Sequence, residues 1–196
     1  MKKRFVFLFL IVASACSINA FAQKDSSGIY KTEADFKQGK LSFAIDYKTE
    51  THKINDQVMF NATDVKVIHE GKTYSFKKAD LYGFRDTKGV DFRFIDNKSY
   101  KILNKGSDLI LYTYNTPDEG VKKGAIQYTM VYYFAKDINS APLLLTKDNL
   151  KANYPTNHKF HDALDAIFKT DKELSEYDSF HKMYKVDHVL EMNSKT

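Results

Sequence analysis

The middle of the chain alternates apolar and polar positions. Apolar residues recur at every second position from Leu41 to Tyr47, and this period is typical of a strand with one buried face. The same alternation predicts further strands near residues 57–60, 65–69, 73–77, 81–85, 90–95, 99–103, 108–114 and 126–134. Several connectors have three or four residues rich in Gly, Asp and Asn, which favours antiparallel neighbours. We therefore predict an antiparallel β-meander over 41–134, which can curl into a half-open barrel.

Two of these strands predict how the sheet is covered. In 90–95, the apolar residues Val90, Phe92 and Phe94 share one face. Asp91 and Arg93 share the other, which we predict to face solvent. In 108–114 both faces are apolar, so this strand is predicted to lie centrally with a cover on each side.

The chain on either side of the meander favours helices. We predict a flexible lead over 24–28, followed by a short helix that Thr32 caps and Gly39 ends. After Pro142 the apolar period changes to 3.6 residues, which predicts C-terminal helices within 143–192.

The C-terminal pattern predicts three helices. The first begins after Thr146 and ends near Asn153. The second begins after Thr156 or Asn157, and its apolar face comprises Phe160, Ala163, Leu164, Ile167 and Phe168. The third follows a capping-box pattern at 170–173 and carries Leu174, Tyr177, Phe180 and Tyr184. A meander followed by helices that pack on it predicts an α+β fold, here as a single domain over 23–196.

Residues 1–22 have the layout of a secretory signal peptide. Basic residues precede an apolar run, and alanines stand at the −3 and −1 positions of a cleavage site between Ala22 and Gln23. This layout predicts export to the periplasm or the extracellular space. An alternative cleavage before Cys16, at a loose lipobox, would give a membrane-anchored lipoprotein. Cys16 is the only cysteine, so cleavage after Ala22 leaves no thiol for a disulfide, a nucleophile or a zinc site.

Charge and motifs exclude several classes of function. The chain has 30 basic and 25 acidic residues, but three of the basic residues lie in 1–22, which holds no acidic residue. The remaining 27 basic and 25 acidic residues give a net charge of +2, which argues against a nucleic-acid partner. The sequence lacks the glycine-rich phosphate loops, the G-x-S-x-G nucleophile elbow, the H-E-x-x-H zinc helix and the EF-hand loop. Because these motifs are absent, we predict that the protein holds no cofactor.

Histidines are concentrated near the C-terminus, where four of the six lie in the last 39 residues. His158 and His161 are spaced to share one helix face, and Asp165 lies four residues after His161. His181, on the next predicted helix, would approach them if the two helices pair antiparallel. Such a His/Asp set suits Zn²⁺ or another divalent metal. The alternative is that these are ordinary surface or half-buried side chains.

Aromatic and acidic residues allow similar alternatives. The 13 Tyr and 15 Phe residues suit either the core of a sheet or a pocket for a sugar, lipid or peptide. Asp86, Asp91 and Asp96 lie in or after turns, where they could serve a glycosidase or simply form the turns.

Four segments carry a resemblance to small exported proteins of Bacteroidota that have no known activity. They are Ala-Phe-Ala-Gln at 20–23, Gly-Ile-Tyr-Lys-Thr at 28–32, Tyr-Gly-Phe-Arg-Asp at 82–86 and Asn-His-Lys-Phe-His-Asp at 157–162. The resemblance implies an exported, single-domain protein and gives no activity to transfer.

Two functions follow from these patterns. The first is an exported envelope protein that acts as a non-catalytic binding or structural module, with a protein or a small molecule as its ligand and no cofactor. The alternative is a metal-dependent hydrolase, with zinc or another divalent ion held by His158, His161, Asp165 and His181. A membrane partner follows only if Cys16 is lipidated.

Overall fold

The computed structural model describes residues 26–46, 53–55, 62–105, 108–117 and 128–194. The predicted signal peptide, Cys16 and the predicted strand near 57–60 lie outside the described residues.

The described chain contains strands and helices in the following order. The strands are β1 (Ser26–Tyr30), β2 (Ser42–Asp46), β3 (Lys53–Asn55), β4 (Asp64–His69), β5 (Lys72–Lys77), β6 (Gly83–Arg85), β7 (Asp91–Ile95), β8 (Lys98–Ile102), β9 (Ile110–Pro117), β10 (Tyr128–Ala135), β11 (Leu143–Leu144), β12 (Tyr177–Asp178) and β13 (Met183–Tyr184). The helices are α1 (Glu33–Gln38), α2 (Lys147–Asn153), α3 (His158–Ile167) and α4 (Lys185–Ser194), and short 3₁₀ turns span Lys78–Asp80 and Asp171–Ser175. Among these helices, none combines the length and the apolar composition that a membrane crossing requires.

An eight-stranded antiparallel sheet forms the centre of the fold, in the order β11-β10-β9-β8-β7-β6-β1-β2. Strands β6 to β11 follow one another as a meander, and the β1–β2 hairpin extends the sheet beside β6. The sheet is open rather than a closed barrel, since β2 and β11 form its two edges. With the C-terminal helices, this architecture confirms the predicted α+β class. The meander is nevertheless divided, because β3, β4 and β5 pair in a separate three-stranded sheet.

The polar segment before Tyr30 is a strand, so the predicted flexible lead is wrong for residues 26–28. Strand β1 lies between β2 and β6, and this pairing on both sides satisfies its backbone groups despite the polar sequence. Gly28 allows the close approach to β2, because a Cβ atom there would lie 2.9 Å from the carbonyl oxygen of Ser42.

The large sheet is covered on both faces. Its front face, which carries Phe84, Phe94 and Leu111, packs against the small sheet and against α2, α3 and α4. Its back face, which carries Asp91, Arg93 and Tyr112, is covered by α1 and by the turn at 137–140. The prediction that the strand at 108–114 has a cover on each side is confirmed, since Leu111 and Tyr112 are both fully buried.

The prediction that Asp91 and Arg93 face solvent is wrong. Asp91 is 3% exposed and Arg93 is 8% exposed. The alternation along the strand was assigned correctly, but α1 and the turn at 137–140 cover the polar face. A buried charge must be paired or hydrogen-bonded, and both of these residues are.

Helices α2 and α3 confirm the first two C-terminal helices. Thr146 caps α2 by accepting the Asn149 N–H at 3.1 Å, and Asn157 caps α3 by accepting the Phe160 N–H at 3.1 Å. The predicted third helix is wrong. Residues 171–175 form a 3₁₀ turn, the β12–β13 hairpin follows, and α4 begins only at Lys185.

The hairpin replaces the predicted helix because the Asp178 side chain accepts hydrogen bonds from the backbone two and three residues later. Its Oδ1 accepts the N–H groups of Phe180 at 2.8 Å and His181 at 3.2 Å. Such local hydrogen bonds reverse the chain and compete with helix formation. The helical spacing of the aromatic residues does not produce a buried face, since the Phe180 side chain is 85% exposed.

Candidate functional site

The four residues of the predicted metal site lie in different surroundings. His158 and His161 are neighbours on α3, with ring centroids 5.8 Å apart, and His161 Nε2 lies 2.9 Å from the carbonyl oxygen of Tyr154. The Asp165 carboxylate is 2.6 Å from the Lys151 ammonium, a hydrogen bond that lowers the pKa of Asp165. His181 lies in the β12–β13 turn and contacts other residues.

A different group of potential metal ligands comes together at the C-terminal hairpin. Within the described ranges, one group of three such side chains has ligand atoms all within 4.8 Å of one another, and it comprises Asp178, His181 and His188. His181 Nδ1 is 2.8 Å from Asp178 Oδ2, and the His181 and His188 rings are 3.9 Å apart. The hydrogen bonds from His181 lower the pKa of Asp178 to about 2. This group shares only His181 with the predicted set.

Asp178 and His188 are therefore outside the set that the sequence predicts. The signal that could have found Asp178 is its three-residue spacing from His181, typical of a turn in which Asp accepts nearby backbone N–H groups. The predicted third helix ends anywhere from Lys185 to Met192, so its pattern does not place His188, which lies in the first turn of α4.

A concave feature lies on the back face of the large sheet, beside α1. We call it the α1 cavity, and its volume is about 510 Å³, within the range of small-molecule sites. Its apolar surface comes from Phe36, Ile102, Ile110 and Ile138. Its charged surface comes from Lys37, Lys105, Lys136, Asp108 and Asp137.

A buried ionic network stands next to the cavity and holds Lys105. The Asp91 carboxylate accepts hydrogen bonds from Tyr30 Oη at 2.8 Å and from Arg85 Nε at 2.9 Å, and it also pairs with the Lys105 ammonium. Lys105 Nζ lies 5.2 Å from the centre of the Phe36 ring, so it stands between the network and the cavity wall. Burial, together with the Arg85 guanidinium, lowers the pKa of Lys105 to about 8.

Arg93 holds the wall of the cavity that the turn at 137–140 forms. Its guanidinium donates to the carbonyl oxygens of Ser140 at 2.8 Å and Asn139 at 3.0 Å, and to Tyr112 Oη at 3.2 Å. Tyr82 Oη donates to the carbonyl oxygen of Ile138 at 3.2 Å, and burial raises the pKa of this phenol. The turn is thus tied to the sheet by side chains that cannot leave without exposing buried polar groups.

Asp86 and Asp91, two of the acidic residues predicted in or after turns, have structural partners, and so does Asp137. Asp86 accepts the N–H groups of Lys88 and Val90, each at 2.8 Å, and Asp91 belongs to the ionic network described above. Asp137 accepts the N–H groups of Asn139 and Ser140 at 2.7 and 2.8 Å, and these bonds and that of the Ser140 hydroxyl lower its pKa.

A scan of protein-family models gave no match to this chain, and searches of curated proteins and of solved structures gave none either. The resemblance of 28–32 and 157–162 to exported Bacteroidota proteins stays a prediction.

Proposed function

We propose that the protein is exported and acts as a non-catalytic binding module, whose ligand is a small organic anion with an apolar part. The observation that carries this proposal is the α1 cavity, in which three lysines lie beside an apolar surface. A mostly apolar concave site with a few fixed polar groups is typical of small-molecule recognition. The signal layout of residues 1–22 supports export.

The cations of the cavity favour an anionic group on the ligand. Among the described residues, Arg85 and Lys105 carry two positive charges and share the one negative charge of Asp91, so these three side chains together have a net positive charge. Asp137 is already satisfied by its own turn. An incoming carboxylate can therefore pair with Lys105 while its apolar part contacts Phe36, Ile102 and Ile110.

The fixed contacts of the site suit the binding of a small molecule. Arg93 and Tyr82 donate to backbone carbonyl oxygens of the turn at 137–140, and Asp91 accepts hydrogen bonds from Tyr30 and Arg85. This preorganisation favours recognition. The alternative of a metal-dependent hydrolase with His158, His161, Asp165 and His181 gains no support from their positions. Asp165 is paired with Lys151, and His181 lies beside Asp178 in the β12–β13 turn.

The experiment measures binding of decanoate and of its uncharged counterpart decanol by isothermal titration calorimetry. The protein is purified from the exported fraction, and its intact mass is expected to show cleavage between Ala22 and Gln23. Decanoate is expected to bind once per chain and more tightly than decanol. Lys105→Met should weaken decanoate binding by about 10- to 100-fold, the effect of losing one charged hydrogen-bond partner.

The pH dependence and a matched variant sharpen this test. An anion binds the protonated ammonium, so affinity should be highest below pH 8 and fall as the pH rises through about 8, where Lys105 loses its proton. Lys66→Met is the control, because Lys66 is exposed on β4 in the other sheet. Equal binding of decanol, or equal losses in the two variants, would contradict the proposal.

A further inference from the structure

The β12–β13 hairpin and the first turn of α4 bring together two imidazoles and a carboxylate. In the sequence, these three residues follow all of the residues that line the α1 cavity. From this geometry we infer that Asp178, His181 and His188 form a binding site for one divalent transition-metal ion of the zinc class. The site is separate from the proposed anion site and shares none of its residues.

The backbone holds the three side chains in place. Asp178 Oδ1 accepts two turn N–H groups, which directs Oδ2 toward His181. The hairpin is tied at its base to α4, because the Lys185 N–H donates to the carbonyl oxygen of Glu176 at 2.9 Å and the two side chains form an ion pair. This connection keeps His188 beside His181. Ligands that are fixed before binding lose little conformational entropy when the metal binds.

The donor set matches the chemistry of zinc rather than that of magnesium or calcium. Two imidazole nitrogens and one carboxylate oxygen are common zinc ligands, whereas Mg²⁺ and Ca²⁺ prefer all-oxygen sites. Tetrahedral Zn²⁺ with bonds near 2.1 Å requires ligand atoms roughly 3.4 Å apart. The present separations, 2.8 Å for His181 Nδ1 to Asp178 Oδ2 and at most 4.8 Å within the group, reach that value by small side-chain rotations.

Binding replaces a hydrogen bond with two coordinate bonds. The metal takes the place of the proton between His181 Nδ1 and Asp178 Oδ2. That proton leaves to solvent, Nε2 takes one up from solvent, and the ring stays neutral with its one proton on Nε2. The His181 side chain is 40% exposed, so the ion can enter from solvent. Three protein ligands leave a fourth position for water or another donor, and the bound ion would link the hairpin to α4.

The test titrates Zn²⁺ into the untagged, chelator-free protein and uses Mg²⁺ as the negative control. One Zn²⁺ per chain is expected, and His181→Ala and His188→Ala should each weaken binding by at least about tenfold. The matched control is His158→Ala/His161→Ala, which removes two neighbouring histidines from the same domain. It should leave Zn²⁺ binding unchanged.

Imidazole ¹H–¹⁵N spectra of the unmodified protein provide a readout that does not depend on how the variants fold. Zn²⁺ should shift the Nδ1 resonance of His181 and a ring nitrogen of His188, and leave those of His158 and His161 in place. The inference is overturned if no Zn²⁺ binds, if the His158/His161 variant loses binding, or if the His181 and His188 resonances do not move.

Discussion

Asp91 and Arg93 are two residues apart on β7, and each is buried with a full set of partners. The sequence predicts correctly that they share a face, because side chains alternate along a strand. It does not predict that this face is covered. The cover comes from α1, about 55 residues earlier, and from the turn at 137–140, about 45 residues later, and no local pattern encodes either contact.

The Arg93 guanidinium should contribute strongly to stability. Arg93→Met keeps an apolar chain of similar length but leaves the carbonyl oxygens of Asn139 and Ser140 without their donor. We expect the free energy of unfolding to fall by about 2–4 kcal/mol, the cost of buried acceptors without a partner. Urea denaturation at pH 7, followed by far-UV circular dichroism, measures it. Lys101→Met, at an exposed position of β8, should change it by less than about 0.5 kcal/mol, and equal effects would refute the assigned role.

At the scale of elements, one sequence pattern has two structural outcomes. Thr32 and Thr170 each precede an acidic residue by three positions. Thr32 and Asp35 form both bonds of a capping box and begin α1, which Gly39 ends with a φ of 66°. At 170–173 the Glu173 carboxylate instead accepts the Lys169 N–H at 2.8 Å, and only a short 3₁₀ turn forms.

This contrast gives a matched pair of substitutions. Thr32→Ala removes a side chain that accepts the Asp35 N–H at 3.1 Å, so the free energy of unfolding should fall by about 1 kcal/mol. Thr170→Ala removes a hydroxyl that makes no cap bond to the backbone, and its effect should stay within about 0.5 kcal/mol. Thermal denaturation of both variants measures the difference. A larger effect at Thr170 would contradict the assignment of the caps.

The same contrast shows how far sequence patterns determine the elements. The alternating segments at 65–69 and 73–77 became β4 and β5, and the caps Thr146 and Asn157 began α2 and α3. These signals are local, so they can be recognised in the sequence. Strand β1 depends on pairing with distant β6.

The sites depend on the same kind of distant contact. The α1 cavity combines Phe36 with Ile102 and Ile138, and the histidine group depends on where α4 begins. For that reason the sequence predicted neither of them. It offered a histidine-based metal site and an aromatic-lined pocket only as alternatives to ordinary structural roles for these residues.

For the whole molecule, the large sheet connects parts that would otherwise be separate. The small sheet packs through Val65 and Val67 against Ile29, Phe84 and Phe94. The C-terminal helices pack against Leu109, Leu111 and Phe134 at the other end of the same face. If the chain is a single domain, a substitution that destabilises one end of the eight-stranded sheet must also destabilise the other end.

Leu164→Ala tests this cooperativity. Leu164 is fully buried among the C-terminal helices, so the substitution should cost about 2–5 kcal/mol. The chain contains no Trp, so tyrosine fluorescence and circular dichroism report on urea unfolding, and hydrogen exchange with mass spectrometry locates the change. In one cooperative unit, amides of β4 and β5 lose as much protection as those of α3. Val67→Ala, in the small sheet, should produce the reciprocal loss in α3. If Leu164→Ala lowers protection only in α2, α3 and α4, the helices and the small sheet unfold independently, and the single-domain prediction is wrong.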